Sequence, residues 1–104
     1  MAQLLWTLAS QQDLVEIGDF IGRDSIVYAI NEVERLVVAA ERLQSEPLMG
    51  RVVPEYGRED LRELIVRNYR LVYLVRGAEV VVIRVVHGAR DFTGALGPQP
   101  WRLT

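Results

Sequence analysis

The sequence predicts an α+β fold: an N-terminal strand, then an antiparallel helical hairpin packed on a small antiparallel β-sheet. Three observations carry this. Apolar residues recur at spacings of three and four up to about Gln44, the period of an amphipathic helix. Two runs rich in strand formers follow, Tyr69 to Val75 and Val80 to Val86. Only a short turn around Gly77 and Ala78 separates them, as in a β-hairpin. The helices precede the strands instead of alternating with them, so the two layers are segregated along the chain.

Gln3 to Thr7 reads as the first strand, with Leu4 and Trp6 on one side and Leu5 on the other. Ser10 followed by Asp13 reads as a capping-box variant at a helix start. Leu14, Ile17 and Ile21 then share a helical face, and Gly22 is a natural stop. Asp24 or Ser25 caps the next helix. Its core stripe is read as Ile26, Ile30, Val33, Val37 and Ala40, widened by Ala29, Leu36 and Leu43. The helix runs to about Gln44, a length of roughly 30 Å, and Pro47 and Gly50 end it. Leu61 to Val66 is apolar and β-branched, a strand after the turn-like segment around Pro54 and Gly57. The hairpin strands are apolar on both faces, which predicts packing on each side of the sheet. Beyond about residue 91, Gly94, Gly97, Pro98 and Pro100 interrupt any period, and the tail is read as irregular.

With 104 residues the chain holds one domain, 1–104, and one core. Met1 to Thr7 is too short an apolar stretch, and lacks the basic leader, for a signal peptide. The later apolar runs, broken by Arg76 and Arg84, are too short for a membrane span, and a cytoplasmic protein is expected. Cysteine is absent and histidine occurs once, which excludes disulfides, a Cys nucleophile and a thiolate or histidine-rich metal centre. No metal or cofactor is expected. The net charge of −2 gives no global field toward nucleic acid. All twelve basic residues are Arg, the planar fork suited to carboxylates and phosphates.

Several segments in order then resemble one family. They are Trp6 on the first strand, the apolar helical pair, Glu46-Pro47-Leu48-Met49-Gly50-Arg51, Val53-Pro54-Glu55 and Leu61-Arg62-Glu63-Leu64. Tyr69-Arg70-Leu71-Val72-Tyr73, the hairpin and His87-Gly88-Ala89-Arg90 complete the series. Over nearly the whole chain this resembles the RelE/ParE toxins of type II toxin–antitoxin systems, known also as plasmid stabilisation proteins. The resemblance implies a RelE/ParE-like fold and neutralisation by a cognate antitoxin, in a toxin–antitoxin hetero-oligomer. It implies one of two targets. RelE-like members cleave messenger RNA on the ribosome without a metal; ParE-like members inhibit DNA gyrase and are not enzymes.

A ribosome-dependent nuclease needs a base, cations for the phosphorane and an acid for the leaving oxygen. The candidates are Glu46, Arg70, His87 and Arg90, of which Glu46, Arg70 and Arg90 match functional positions of the superfamily. With a two-residue turn, 72 faces 83 and 70 faces 85, so Arg70 and His87 share a face; a three-residue turn separates them. The structural alternatives are an Arg70 ion pair with Glu63 or another carboxylate, a His87 hydrogen-bonded to backbone and a solvated Glu46. Tyr69 and Tyr73, on one face, read as core. Three features favour the ParE-like branch. The strand before Tyr69 carries only Arg62 and Arg67 as basic residues, no Tyr follows Tyr73, and the net charge is acidic. For an antitoxin, the expected site is the groove between hairpin and sheet, where a disordered tail folds on binding. Arg62, Arg70, Arg84 and Arg90 are forks for its acidic side chains, and Trp101 is a second candidate anchor.

Overall fold

The computed structural model describes residues 1–103. In chain order it has β1 (Gln3–Trp6), α1 (Leu8–Gly22), α2 (Ile26–Glu41) with a 3-10 turn (Arg42–Gln44), and β2 (Arg51–Val52). There follow β3 (Leu61–Val66), β4 (Tyr69–Arg76), β5 (Glu79–His87) and α3 (Phe92–Leu96). The sheet order is β1-β5-β4-β3-β2. Strands β2 to β5 are antiparallel, and β1 joins as a parallel edge, Leu4 opposite Val80.

The hairpin begins one turn earlier than Ser10 and Asp13 suggest. Thr7 is the N-cap: its side chain accepts from Ser10 N at 3.1 Å, and Ser10 Oγ donates to Thr7 O at 2.8 Å. Ser10 and Asp13 are interior helical residues, both buried. Ser25 caps α2, accepting from Tyr28 N at 3.1 Å. Where the two helices face each other, a Cβ on Gly18 would lie 3.5 Å from Val33 and one on Gly22 3.8 Å from Ala29, ordinary contact distances that a methyl group would fill.

The core stripe of α2 is displaced from the predicted one. Ala29, Glu32, Leu36, Ala40 and the following Leu43 are buried, whereas Ile26 and Ile30 are 71% and 59% exposed. The helix is apolar on two adjacent faces, and the sheet covers the one containing Leu36. The other remains open beside α1.

The sheet divides two apolar layers, where the chain length had suggested one core. Leu36, Leu43, Leu71, Tyr73, Val80 and Val82 pack on the helical side. Val53, Leu61, Val72, Leu74, Val81, Ile83 and Phe92 pack on the other, with Leu96, Trp101 and Leu103 against them. The tail is therefore a covering layer. Asp91 caps α3 by accepting from Gly94 N at 3.3 Å, and Gly97 turns the chain at φ +81.

The Gly77-Ala78 turn has two residues, Arg76 pairing with Glu79 and Tyr73 with Val82. A β-bulge then shifts the register at Val72/Tyr73: Val72 pairs with Arg84, Arg70 with Val86 and Tyr69 with His87. The predicted pairings, 72 with 83 and 70 with 85, are each displaced by one. His87 moves to the helical face with Tyr69, and Arg70 lies on the opposite face. The N-cap of α1 and one residue inside it satisfy the backbone here: Thr7 Oγ1 donates to Ile83 O at 2.9 Å, and Asp13 accepts from Val85 N at 2.8 Å.

Candidate functional site

Arg70 is the hub of the sheet's second face. Its Nε donates to Glu63 at 2.6 Å, and both terminal nitrogens donate to Glu55 at 2.8 Å. The guanidinium also sits 3.5 Å from the centroid of the Phe92 ring. Glu63 is buried, and its other oxygen accepts from Arg51 Nε at 2.7 Å. The Glu55 hydrogen bonds push the Arg70 guanidinium further up from its ordinary value, and the same pairing holds the Glu55 carboxyl below the usual carboxylate range. Arg70 thus makes the carboxylate pair across the sheet that was the structural alternative to a role in binding or catalysis.

Arg84 and Arg62 are likewise committed. Arg84 meets Asp13 at 2.7 and 3.0 Å and donates to Ala95 O at 2.7 Å, binding α1, β5 and α3 together. Arg62 donates to Gly50 O at 2.9 Å and to the Glu59 backbone and carboxylate at 3.0 and 3.2 Å. As forks for an incoming partner, Arg62, Arg70 and Arg84 are already filled. Trp101 is half-buried, edge-on to Tyr56 at 6.0 Å and under the Arg58 guanidinium at 4.2 Å.

His87 and Arg90 are exposed. His87 Nδ1 accepts from Ala89 N at 3.1 Å, and its ring stands edge-on to Tyr69 at 5.5 Å. With Nδ1 accepting, the neutral ring carries its proton on Nε2. His87 and Arg90 line a groove between α1 and the end of β5, together with Glu16, Ile17, Phe20 and Tyr69. His87 also reaches a second cleft around the β3–β4 turn, where Arg51, Arg67, Asn68 and the edge of Arg70 meet. Glu46 lines neither; it is exposed after the 3-10 turn. Of the four nuclease candidates, then, His87 and Arg90 are neighbours, Arg70 is reached only at its filled fork, and Glu46 stands apart.

Arg67 was not singled out as a site residue, yet it is an exposed arginine with no carboxylate partner among the described residues, and its φ is +54. Gly88 N donates to Asn68 O at 2.7 Å, stapling this turn to the end of β5. The Arg67-Asn68 pair between two strand runs was the available signal, since Asn marks tight turns.

A further, larger concavity than these two lies elsewhere, on the outer face of the hairpin. It measures about 890 Å³ and is floored by Gly18, Gly22, Ile26, Ile30, Val33 and Val37. Asp19 and Arg23 of α1 and Glu34 of α2 border it. The hairpin and its 3-10 turn hold seven carboxylates against three arginines, so the net charge of −2 conceals an acidic helical layer over a basic remainder.

Among the described residues, no three His, Cys, Asp or Glu side chains group to hold a metal ion, and no helix is long and apolar enough to cross a membrane. The family model of the ParE toxin of type II toxin–antitoxin systems, parDE, matches residues 4–92. Toxin RelE2 of Caulobacter vibrioides is 37% identical over 91 residues, spanning 86% of this chain and 99% of that protein. A chain from the chromosomal ParDE TA system of P. aeruginosa shares the fold with a TM-score of 0.71. It is 23% identical, with 84% of this chain and 96% of that one covered.

Proposed function

Since this chain belongs to the ParE toxin family of type II toxin–antitoxin systems, we propose that it is a non-enzymatic inhibitor of DNA gyrase, acting in the cytoplasm and silenced by a cognate antitoxin. The observation that supports the non-enzymatic reading is the closed fork of Arg70. A phosphate-binding arginine must offer its N–H groups to the substrate. Here Glu55 and Glu63 already take three of them, and Glu46 lines neither cleft beside Arg70 or His87. On this reading the protein acts by binding, holding its target in one conformational state.

The antitoxin would add an amphipathic segment to the apolar groove of the hairpin, folding as it binds, with Arg90 and Arg67 at the open end of the sheet as cations that have no carboxylate partner among the described residues. A toxin–antitoxin hetero-oligomer follows. Supercoiling by purified gyrase tests the target: added toxin should inhibit it and accumulate cleaved DNA, and antitoxin should reverse both. Gyrase left fully active by a molar excess of toxin overturns the reading.

A second reading is a ribosome-dependent messenger RNA endoribonuclease. It draws on the cleft with Arg51, Arg67 and His87 and on the 37% identity to a protein that carries the RelE name. Toeprinting of translating messenger decides it. Codon-dependent cleavage lost in His87→Ala and Arg67→Ala would favour this reading over the first.

A further inference from the structure

We propose that the hairpin groove selects an amphipathic helix flanked by basic side chains, and that Asp19 and Glu34 determine this choice. The inference rests on the antitoxin reading above and adds the charge pattern of the segment that docks. The groove has the dimensions and lining for a helix: Ile26, Ile30, Val33 and Val37 rise along α2 at helical spacing, and Gly18 and Gly22 lower the opposite wall. An apolar stripe of about four residues at three- and four-residue intervals fits that floor.

The rim gives the floor its sign. Asp19 on α1 and Glu34 on α2 border opposite sides, both are exposed, and neither has an ion-pair partner among the described residues. Arg23 is the sole cation bordering the groove, and its guanidinium leans over Phe20, 5.9 Å from the ring centroid. Arg23 stands beside Asp19 on the α1 wall, which leaves the Glu34 side of the rim without a cation of its own among the groove-lining residues. Glu16, Asp24 and Glu41 extend the acidic field along the hairpin, and none has an ion-pair partner among the described residues. An acidic segment would meet like charge here; lysines or arginines beside the apolar stripe would meet two free carboxylates. Acidic side chains of the same partner belong instead at the end of the sheet, over Arg67 and Arg90. Charge arranged this way gives discrimination more than affinity.

The test uses two fluorescein-labelled helical peptides of about sixteen residues, identical in apolar stripe, one with Lys and one with Glu on its flanks, titrated against the full chain by fluorescence anisotropy. The Lys peptide should bind about 10-fold more tightly, the scale set by two exposed charge pairs changing from repulsion to attraction. Asp19→Asn with Glu34→Gln should abolish the difference, as should salt near 1 M. Ile26→Gln with Ile30→Gln, exposed positions whose change leaves the fold intact, should weaken both peptides together. Equal or tighter binding of the Glu peptide, a preference that survives the double charge variant, or no binding of either peptide overturns the proposal. Reversal of the gyrase inhibition by a cognate antitoxin is scored separately, so failure of the charge rule is distinguishable from failure of the toxin–antitoxin reading.

Discussion

Asp13 and Arg84, 71 positions apart, close a two-pronged ion pair beneath α1, and the same carboxylate accepts from the backbone N–H of Val85. A helical side chain thereby holds the β-bulge that decides which face each residue of β5 presents. Burial of Asp13, 7% exposed, makes the pair sensitive to loss of one partner.

Arg84→Ala should therefore destabilise the protein by about 3 kcal/mol, because it leaves a buried carboxylate with one donor. The double variant Asp13→Leu/Arg84→Met should lose clearly less than the sum of its single changes. Urea unfolding of the four proteins measures the coupling; additive losses would refute it.

Tyr73 links the strands to the segment after α2. Its hydroxyl donates to Pro47 O at 2.8 Å and accepts from Gly50 N at 2.9 Å. Tyr73→Phe should cost about 1–3 kcal/mol by leaving the Gly50 N–H without its partner. Gly50→Ala should be more damaging, since the added Cβ would overlap the Glu63 carbonyl and the Tyr73 hydroxyl. Thermal melts rank the two, and a harmless Gly50→Ala would contradict the contact.

Acid should expose the Glu55–Arg70 pair. The folded carboxyl lies below its usual range because of the Arg70 hydrogen bonds, so its stabilisation is complete above the unfolded value of about 4 and is lost as pH falls through the folded one. In Glu55→Gln the decline of stability below about pH 4 should be shallower than in the parent. Parallel denaturation series from pH 7 to pH 2 check the sign.

The covering layer makes its own prediction. Phe92 is buried against the second face of the sheet and stacks under Arg70. Phe92→Ala should cost about 3 kcal/mol. A chain ending at Asp91 should bind a hydrophobic dye that the full chain does not, through Val72, Leu74, Val81 and Ile83. A truncated chain as stable and dye-free as the parent would show that the layer is dispensable.

Periodicity made much of this fold legible. Strand runs, the Gly77-Ala78 turn and the two helices emerge because local spacing reports which face is buried. The bulge does not, since a register shift of one residue depends on Thr7 and Asp13, groups from a distant helix. Asp13 itself was misread as a capping residue because its spacing from Ser10 imitates one. On α2, two adjacent apolar faces gave periodicity no means of choosing, and Leu36 rather than Ile30 faces the sheet. The tail is rich in Gly and Pro and gave no period, yet Phe92 and Trp101 hold it against the strands. For the site, twelve arginines were visible but not their carboxylates; only the folded chain shows that Arg70 is filled and that Arg67 has no carboxylate partner among the described residues.

Strand β1 reaches its partner only at residues 79–82. A ribosome delivers Gln3 to Trp6 first and must emit almost the entire chain before they find a neighbour, a long loop to close. Until then Thr7 can cap α1, but its hydroxyl has no Ile83 carbonyl to donate to and the Asp13 carboxylate lacks Arg84 and the Val85 N–H. A chain stopped before β5 therefore has neither the strand that β1 joins nor the complete platform on which the hairpin rests.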